Sequence, residues 1–142
     1  MARHEEAVAA FNDVIARFKD ASESVLREQV AKALVNRGFH LGVLGRSDEA
    51  LAAYDDVVAR FEDACEPKLR EQVAKALVNR GIRLGELGRN DEAVAAYDDA
   101  IARFKDASEP KLRELVAKAL VNRGIRLGEP GRSDEARRHT RT

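Results

Sequence analysis

An all-α array of stacked antiparallel hairpins, an α-solenoid, is the fold class this sequence predicts, on three observations. The octapeptide AKALVNRG recurs at 31–38, 74–81 and 117–124 with a constant spacing of 43 residues, and a fixed period of this size marks one supersecondary unit stacked on copies of itself. Residues 24–66 and 67–109 agree at 32 of 43 positions, and 110–136 agrees with 67–93 at 24 of 27, so one set of packing contacts is being repeated. Ala, Leu, Val, Arg and Glu dominate, with 5% aromatic residues and no Trp, a composition of helix-rich chains whose close contacts rely on small side chains.

The chain opens part-way through a unit. HEEAVAAFNDVIARFKDASE at 4–23 matches DEALAAYDDVVARFEDACE at 48–66 after its first residue, so the first predicted element is a short helix near 4–19. A long helix near 24–44 and a short one near 48–62 complete one repeat. In the next, Pro67 suits the first helical position and Gly88 a left-handed terminator, giving a long helix over 67–87. Leu69, Val73, Leu77, Leu84 and Leu87 share one side at 100° per residue, and Ala74, Val78, Ile82 and Gly85 widen it. Lys68, Gln72, Lys75, Asn79 and Glu86 are left as the polar stripe. A face this broad needs packing neighbours on two sides.

Residues 88–90 read as a tight turn with Asn90 as helix cap, and Asp91 with Glu92 place acid in the first turn. Ala93, Val94, Tyr97, Ile101 and Phe104 then recur at helical spacing, predicting a short helix over 91–105 that folds back on the long one. A third long helix is expected over 110–128. Its short partner fails: Pro130 replaces Leu44 and Leu87, and SDEA at 133–136 runs into RRHTRT. The domain is therefore expected to span 1–136, as a short helix at 4–23, repeats at 24–66 and 67–109 and an incomplete one at 110–136. A frayed basic tail is expected at 137–142.

The string Asn79, Gly81, Leu84, Leu87, Gly88, Asp91, Glu92, Ala93, Ala96, Tyr97 and Ile101 resembles the tetratricopeptide repeat, and the same string reads almost unchanged from Asn36 to Val58. The resemblance implies helical hairpins in a right-handed superhelix whose concave face, lined by the first helix of each repeat, binds peptides or proteins. The usual unit has 34 residues, so a 43-residue period is similar to a long-repeat subclass, with the first helix lengthened at its amino end.

On that concave face Lys32, Asn36, Lys75, Asn79, Lys118 and Asn122 form a candidate ladder. Lysine and asparagine four residues apart stack on one side of a helix; the amides suit a peptide backbone, and the ammonium groups suit carboxylates. Phe39 and Ile82 are assigned to the same face. Family members that grip the carboxyl-terminal tails of heat-shock chaperones use a lysine and asparagine clamp. Here Val35 and Phe39 stand where a lysine and an asparagine are required, so chaperone binding is not expected.

Arg37, Arg80 and Arg123 fall inside the apolar arc, where removing one partner of a buried ion pair costs about 3–5 kcal/mol. Asp55 and Asp98 are the candidate partners. Pairing within repeats joins Arg37 to Asp55 and Arg80 to Asp98; pairing between repeats joins Arg80 to Asp55 and Arg123 to Asp98. Alternatively each arginine extends along its stem to water. Asp55–Asp56 and Asp98–Asp99 do not suit general acid–base work, because adjacent helical residues point about 100° apart; Asp56 and Asp99 are expected to face water.

No catalytic set, cofactor site or metal site is indicated. His4, His40 and His139 fall in different contexts without ligand spacing, and Cys65 is the single cysteine, with Ser22 and Ser108 as its repeat-mates. The glycine-rich turns lack the strand that a phosphate-binding loop requires. With 25 basic and 25 acidic residues, the whole-chain field favours neither nucleic acid nor an anionic membrane. The basic run with Arg132, Arg137, Arg138, His139 and Arg141 has no aromatic residues for base stacking. MARHEEAVAAF carries charge where a secretory leader needs an apolar run, and no window approaches the roughly 18 apolar residues of a membrane span, so a cytoplasmic location is expected. The expected role is a non-enzymatic scaffold for a protein or peptide. The alternative is self-assembly through the unpartnered terminal helices, head to tail, into a closed dimer or an open filament.

Overall fold

Six helices follow one another in a computed structural model that describes residues 2–129. They are α1 (Ala2–Phe18), α2 (Ser24–Val43), α3 (Ser47–Phe61), α4 (Pro67–Glu86), α5 (Asn90–Phe104) and α6 (Pro110–Gly128). Short and long alternate, at the expected places to within two residues. The expectations for Pro130, the incomplete short helix and the basic tail lie outside the described residues.

Local chemistry sets the ends. Pro67 and Pro110 sit in the first turns of α4 and α6, where the missing N–H has no helical acceptor to lose. At the other end Gly45 and Gly88 take φ of 79° and 77°. Arg46 N–H donates to Leu41 O at 2.9 Å and Gly45 N–H to Gly42 O at 3.0 Å; Arg89 and Gly88 repeat both bonds on Leu84 and Gly85. These are Schellman caps, which satisfy the last carbonyls and turn the chain sharply into the next helix. Asn90 does not cap α5: it is the first helical residue, and its Oδ1 is buried without a hydrogen-bond partner. The start of α5 is held instead by Arg89, whose Nε donates to Glu92 Oε1 at 2.9 Å.

Each helix packs on its neighbours in sequence, and α4 also packs on both α2 and α6, whereas the short helices α1, α3 and α5 are not packed backbone to backbone on one another, Arg103 of α5 reaching Glu62 at the end of α3 only through its side chain. Between repeats each long helix thus packs on the next long helix as well as on the short helix between them. One continuous core runs through α2 to α6, and Tyr97, Leu69, Leu84, Leu112, Val57 and Val73 are among its fully buried members. Each aliphatic member contributes roughly 1.5–3 kcal/mol by leaving water. The tightest contacts are glycine against tyrosine. A Cβ on Gly38 would lie 2.6 Å from Tyr54 Cε1, and one on Gly81 would lie 2.6 Å from Tyr97 Cζ. Each hairpin closes at a distance that only glycine permits.

Two residues of the 67–87 wheel are placed differently from expectation. Leu87, the C-cap of α4, is 42% exposed, and Gln72, assigned to the polar stripe, is 4% exposed. Gln72 lies on the side of α4 flanked by both other long helices. That crowding is invisible in one helix taken alone.

Candidate functional site

The surface formed by the long helices carries an open groove of about 470 Å³ built by three of them. From α2 come Lys32, Val35, Asn36 and Phe39; from α4 come Gln72, Lys75 and Asn79; from α6 come Lys111, Glu114, Leu115 and Lys118. Lys32 is the first α2 residue to enter, whereas its repeat-mate Lys118 is the last from α6. Each successive long helix thus enters about one turn earlier, and the groove crosses the repeats diagonally. Asn122 and Ile82 consequently fall outside it, lining a second hollow of about 350 Å³ with Glu86, Tyr97, Ile125 and Arg126.

Five of the groove residues, Val35, Gln72, Lys111, Glu114 and Leu115, were not candidates from sequence. Leu115 stands where the two preceding repeats have Gln29 and Gln72. That departure from the repeat was the one available signal.

The lysines are largely compensated. Lys32 Nζ lies 3.1 Å from Glu28 Oε1, and Lys75 Nζ 3.4 Å from Glu71 Oε1. Both are one-turn pairs on partly exposed helix surface, each contributing about 0.3–0.5 kcal/mol. In α6 the equivalent glutamate, Glu114, lies 3.5 Å from Lys111, which leaves Lys118 the least compensated lysine of the three. Asn36 is also partly engaged: its Nδ2 donates to Lys32 O at 2.8 Å, so only its carbonyl oxygen is fully open to a ligand.

Behind the groove, ion pairs tie the layers together. Arg80 Nε donates to Asp55 Oδ1 at 2.8 Å and Arg123 Nε to Asp98 Oδ1 at 2.5 Å, each arginine reaching back to the short helix before it. Side-chain exposures of 26% and 39% for the arginines, and 60% and 52% for the aspartates, put these pairs at the surface. The expected magnitude is therefore about 0–1 kcal/mol rather than that of a buried pair. Among the described residues Arg37 makes no such pair: its Nε is buried without a partner, and the residue that stands where α3 has Asp55 is the neutral Asn12. The second aspartates are less exposed than the first, contrary to expectation, since Arg60 covers Asp56 at 2.8 Å and Arg103 covers Asp99 at 2.7 Å.

Two histidines that looked unrelated in sequence meet at the α1–α2 contact. Nδ1 of His4 and Nδ1 of His40 are 2.7 Å apart, with Phe11 stacked on His40 at 5.8 Å and Phe39 edge-on at 5.2 Å. At that distance one ring donates and the other accepts. Burial, and then the His4 charge, push the His40 pKa down. Cys65 is exposed, and no described helix is long and apolar enough to cross a membrane.

Neither the curated proteins nor the solved structures gave a match. The tetratricopeptide repeat family model matches residues 29–106, a span running from within α2 to just past α5 and thus covering the glycine–tyrosine hairpins and both Schellman caps. On that match and on the helix order and packing, the chain belongs to the tetratricopeptide repeat family.

Proposed function

We propose that this chain is a scaffold that holds an extended peptide segment of a protein partner in the diagonal groove of its long helices. The repeats of this family commonly serve as non-catalytic surfaces for protein interaction. One observation carries the reading: a single groove collects lysines, amides and apolar side chains from three different helices. The amides of Asn79 and Gln72 and the Asn36 carbonyl suit a peptide backbone, which offers one donor and one acceptor per residue. Val35, Phe39 and Leu115 suit an apolar side chain, and Phe39 is 52% exposed, so a ligand would cover it. Lys118 suits a carboxylate at the α6 end.

A displayed library of random peptides, selected on the purified chain, tests this reading. Peptides carrying an acidic residue near an apolar one are expected to be enriched. Lys75→Glu combined with Asn79→Ala is expected to abolish their capture while the circular dichroism spectrum stays helical. Capture unaffected by that double change would reject the groove as the site.

A further inference from the structure

Inside the chain each long helix is held by two short ones: α2 by α1 and α3, and α4 by α3 and α5. Among the described residues α6 has only α5, and the difference is confined to one face. Leu120 and Leu127 are 53% and 56% exposed, whereas their repeat-mates Leu77 and Leu84 are 3% and 0% exposed. Val121 is likewise exposed where Val35 and Val78 are buried. Gly38 and Gly81 receive the rings of Tyr54 and Tyr97, but a Cβ on Gly124 meets nothing within 4 Å.

The complementary surface is on α1, a short helix with a long neighbour on one side only. Ala7 and Val14 are half-buried where Ala50, Ala93 and Val57 are closed off, and Phe11 stands where α3 and α5 carry the tyrosine. Phe18 is 36% exposed, against 5% for Phe61 and 6% for Phe104. Charge follows the same rule. Arg27 lies over Phe61 and donates to Glu66, and Arg70 lies over Phe104 and donates to Glu109. The third arginine of the series, Arg113, is exposed, and so are the remaining phenylalanine and glutamate, Phe18 and Glu23.

We infer that α6 of one copy docks on α1 of a second copy in the register that α4 uses on α5, with Phe11 of the second copy on Gly124. Its Phe18 and Glu23 then take Arg113. The in-frame sequence after α6, RRHTRT at 137–142, has basic residues and threonine where α3 and α5 carry LAAYDD and VAAYDD. Helix α1 is the segment of this chain whose small and aromatic residues fit the α6 face, and its own copy holds it at the opposite end of the stack. The contact is heterologous, so it propagates into an open array unless the rotation closes a ring.

Sedimentation of the full chain across a micromolar-to-millimolar series tests this docking, with Ala7→Arg and Leu120→Arg each blocking one face. Wild type is expected to gain mass with concentration, and each variant alone to remain monomeric. An equimolar mixture of the two variants, which retains one good α6 face and one good α1 face, is expected to form a dimer and nothing larger. A wild type that stays monomeric overturns the inference. So does an Ala7→Arg variant that still associates, which would mean that α6 pairs with itself, and so does a mixture that stays monomeric while wild type associates. Both positions already meet solvent, so helicity should be retained; Phe18→Arg and Val121→Arg form a second pair if either variant loses it. Failure here leaves peptide capture untouched, because the groove lies on α2, α4 and a different face of α6, that of Lys111, Leu115 and Lys118.

Discussion

Gly81 and Tyr97 occupy each other's space: the phenol ring lies where the glycine would carry a Cβ, 2.6 Å from that position at its Cζ. Overpacking of this kind costs about 1–3 kcal/mol. Gly81→Ala is therefore expected to lower the midpoint of thermal unfolding, and Gly124→Ala, with no atom within 4 Å, to raise it by relieving about 0.5–1 kcal/mol of glycine's helical penalty. If α6 docks on a second copy, Gly124→Ala should also weaken association, since the new methyl takes the place of the incoming Phe11 ring. Calorimetry and sedimentation on one sample separate the two effects.

Arg80 reaches Asp55 and Arg123 reaches Asp98, but in the repeat position that would serve Arg37 the sequence has Asn12 instead of aspartate. A double-mutant cycle on Arg80→Met and Asp55→Asn is expected to return a coupling of about 0.2–1 kcal/mol. Asn12→Asp should add a comparable stabilisation by supplying the carboxylate that Arg37 lacks. Urea unfolding in low and high salt would show that gain shrinking as the charges are screened.

The folded state binds a proton at His40 less readily than the unfolded chain does, because burial lowers the imidazole pKa below its ordinary 6.5. Stability is then complete above 6.5 and falls as pH drops through that value to the lower folded one. The unfolding midpoint is expected to decline between pH 7 and pH 5, with α1 the first part to loosen. In His40→Gln that decline should flatten. An unchanged slope would place the titrating group elsewhere.

Tyr54 gives the opposite dependence. Burial raises its pKa to about 12, so the stability that comes from keeping the phenol neutral is present below the ordinary value of 10 and is lost as pH rises towards 12. Absorbance titration should show tyrosine ionising late and together with unfolding. Tyr54→Phe should shift the alkaline unfolding midpoint upward.

Within the proposed groove the three repeat lysines are unequal, because Glu28 and Glu71 compensate Lys32 and Lys75 while Glu114 lies beside Lys111. Lys118→Ala is expected to weaken capture of acidic peptides several-fold, and Lys32→Ala by less. Fluorescence anisotropy with one selected peptide compares them directly. Equal losses would mean that the helical ion pairs open on binding.

What was legible in the sequence is what local chemistry dictates. Pro67 and Pro110 begin helices and Gly45 and Gly88 end them because of backbone conformation at single residues, and the 43-residue period announced stacked hairpins without any contact being known. Asn36, Asn79 and the three lysines could be assigned to one face of their helices, since a helical wheel needs only the rise and turn of one helix. The groove was harder to read. Its diagonal course follows from each long helix entering about one turn earlier than the last, a property of packed side chains, and that offset brings in Lys111 and Leu115 while leaving Asn122 and Ile82 outside.

The same division holds across the molecule. Sequence by itself determined the class, the order of helices, their ends and the glycine–tyrosine spacing, because each rests on interactions spanning less than one repeat. Tertiary structure decided that the arginines reach back to the preceding short helix, that Gln72 is enclosed between long helices, and that His4 meets His40 across 36 positions of chain. It also decided that, among the described residues, nothing covers the α6 face. These depend on which surfaces end up facing one another, and a periodic sequence offers the same residues to both neighbours until packing chooses between them.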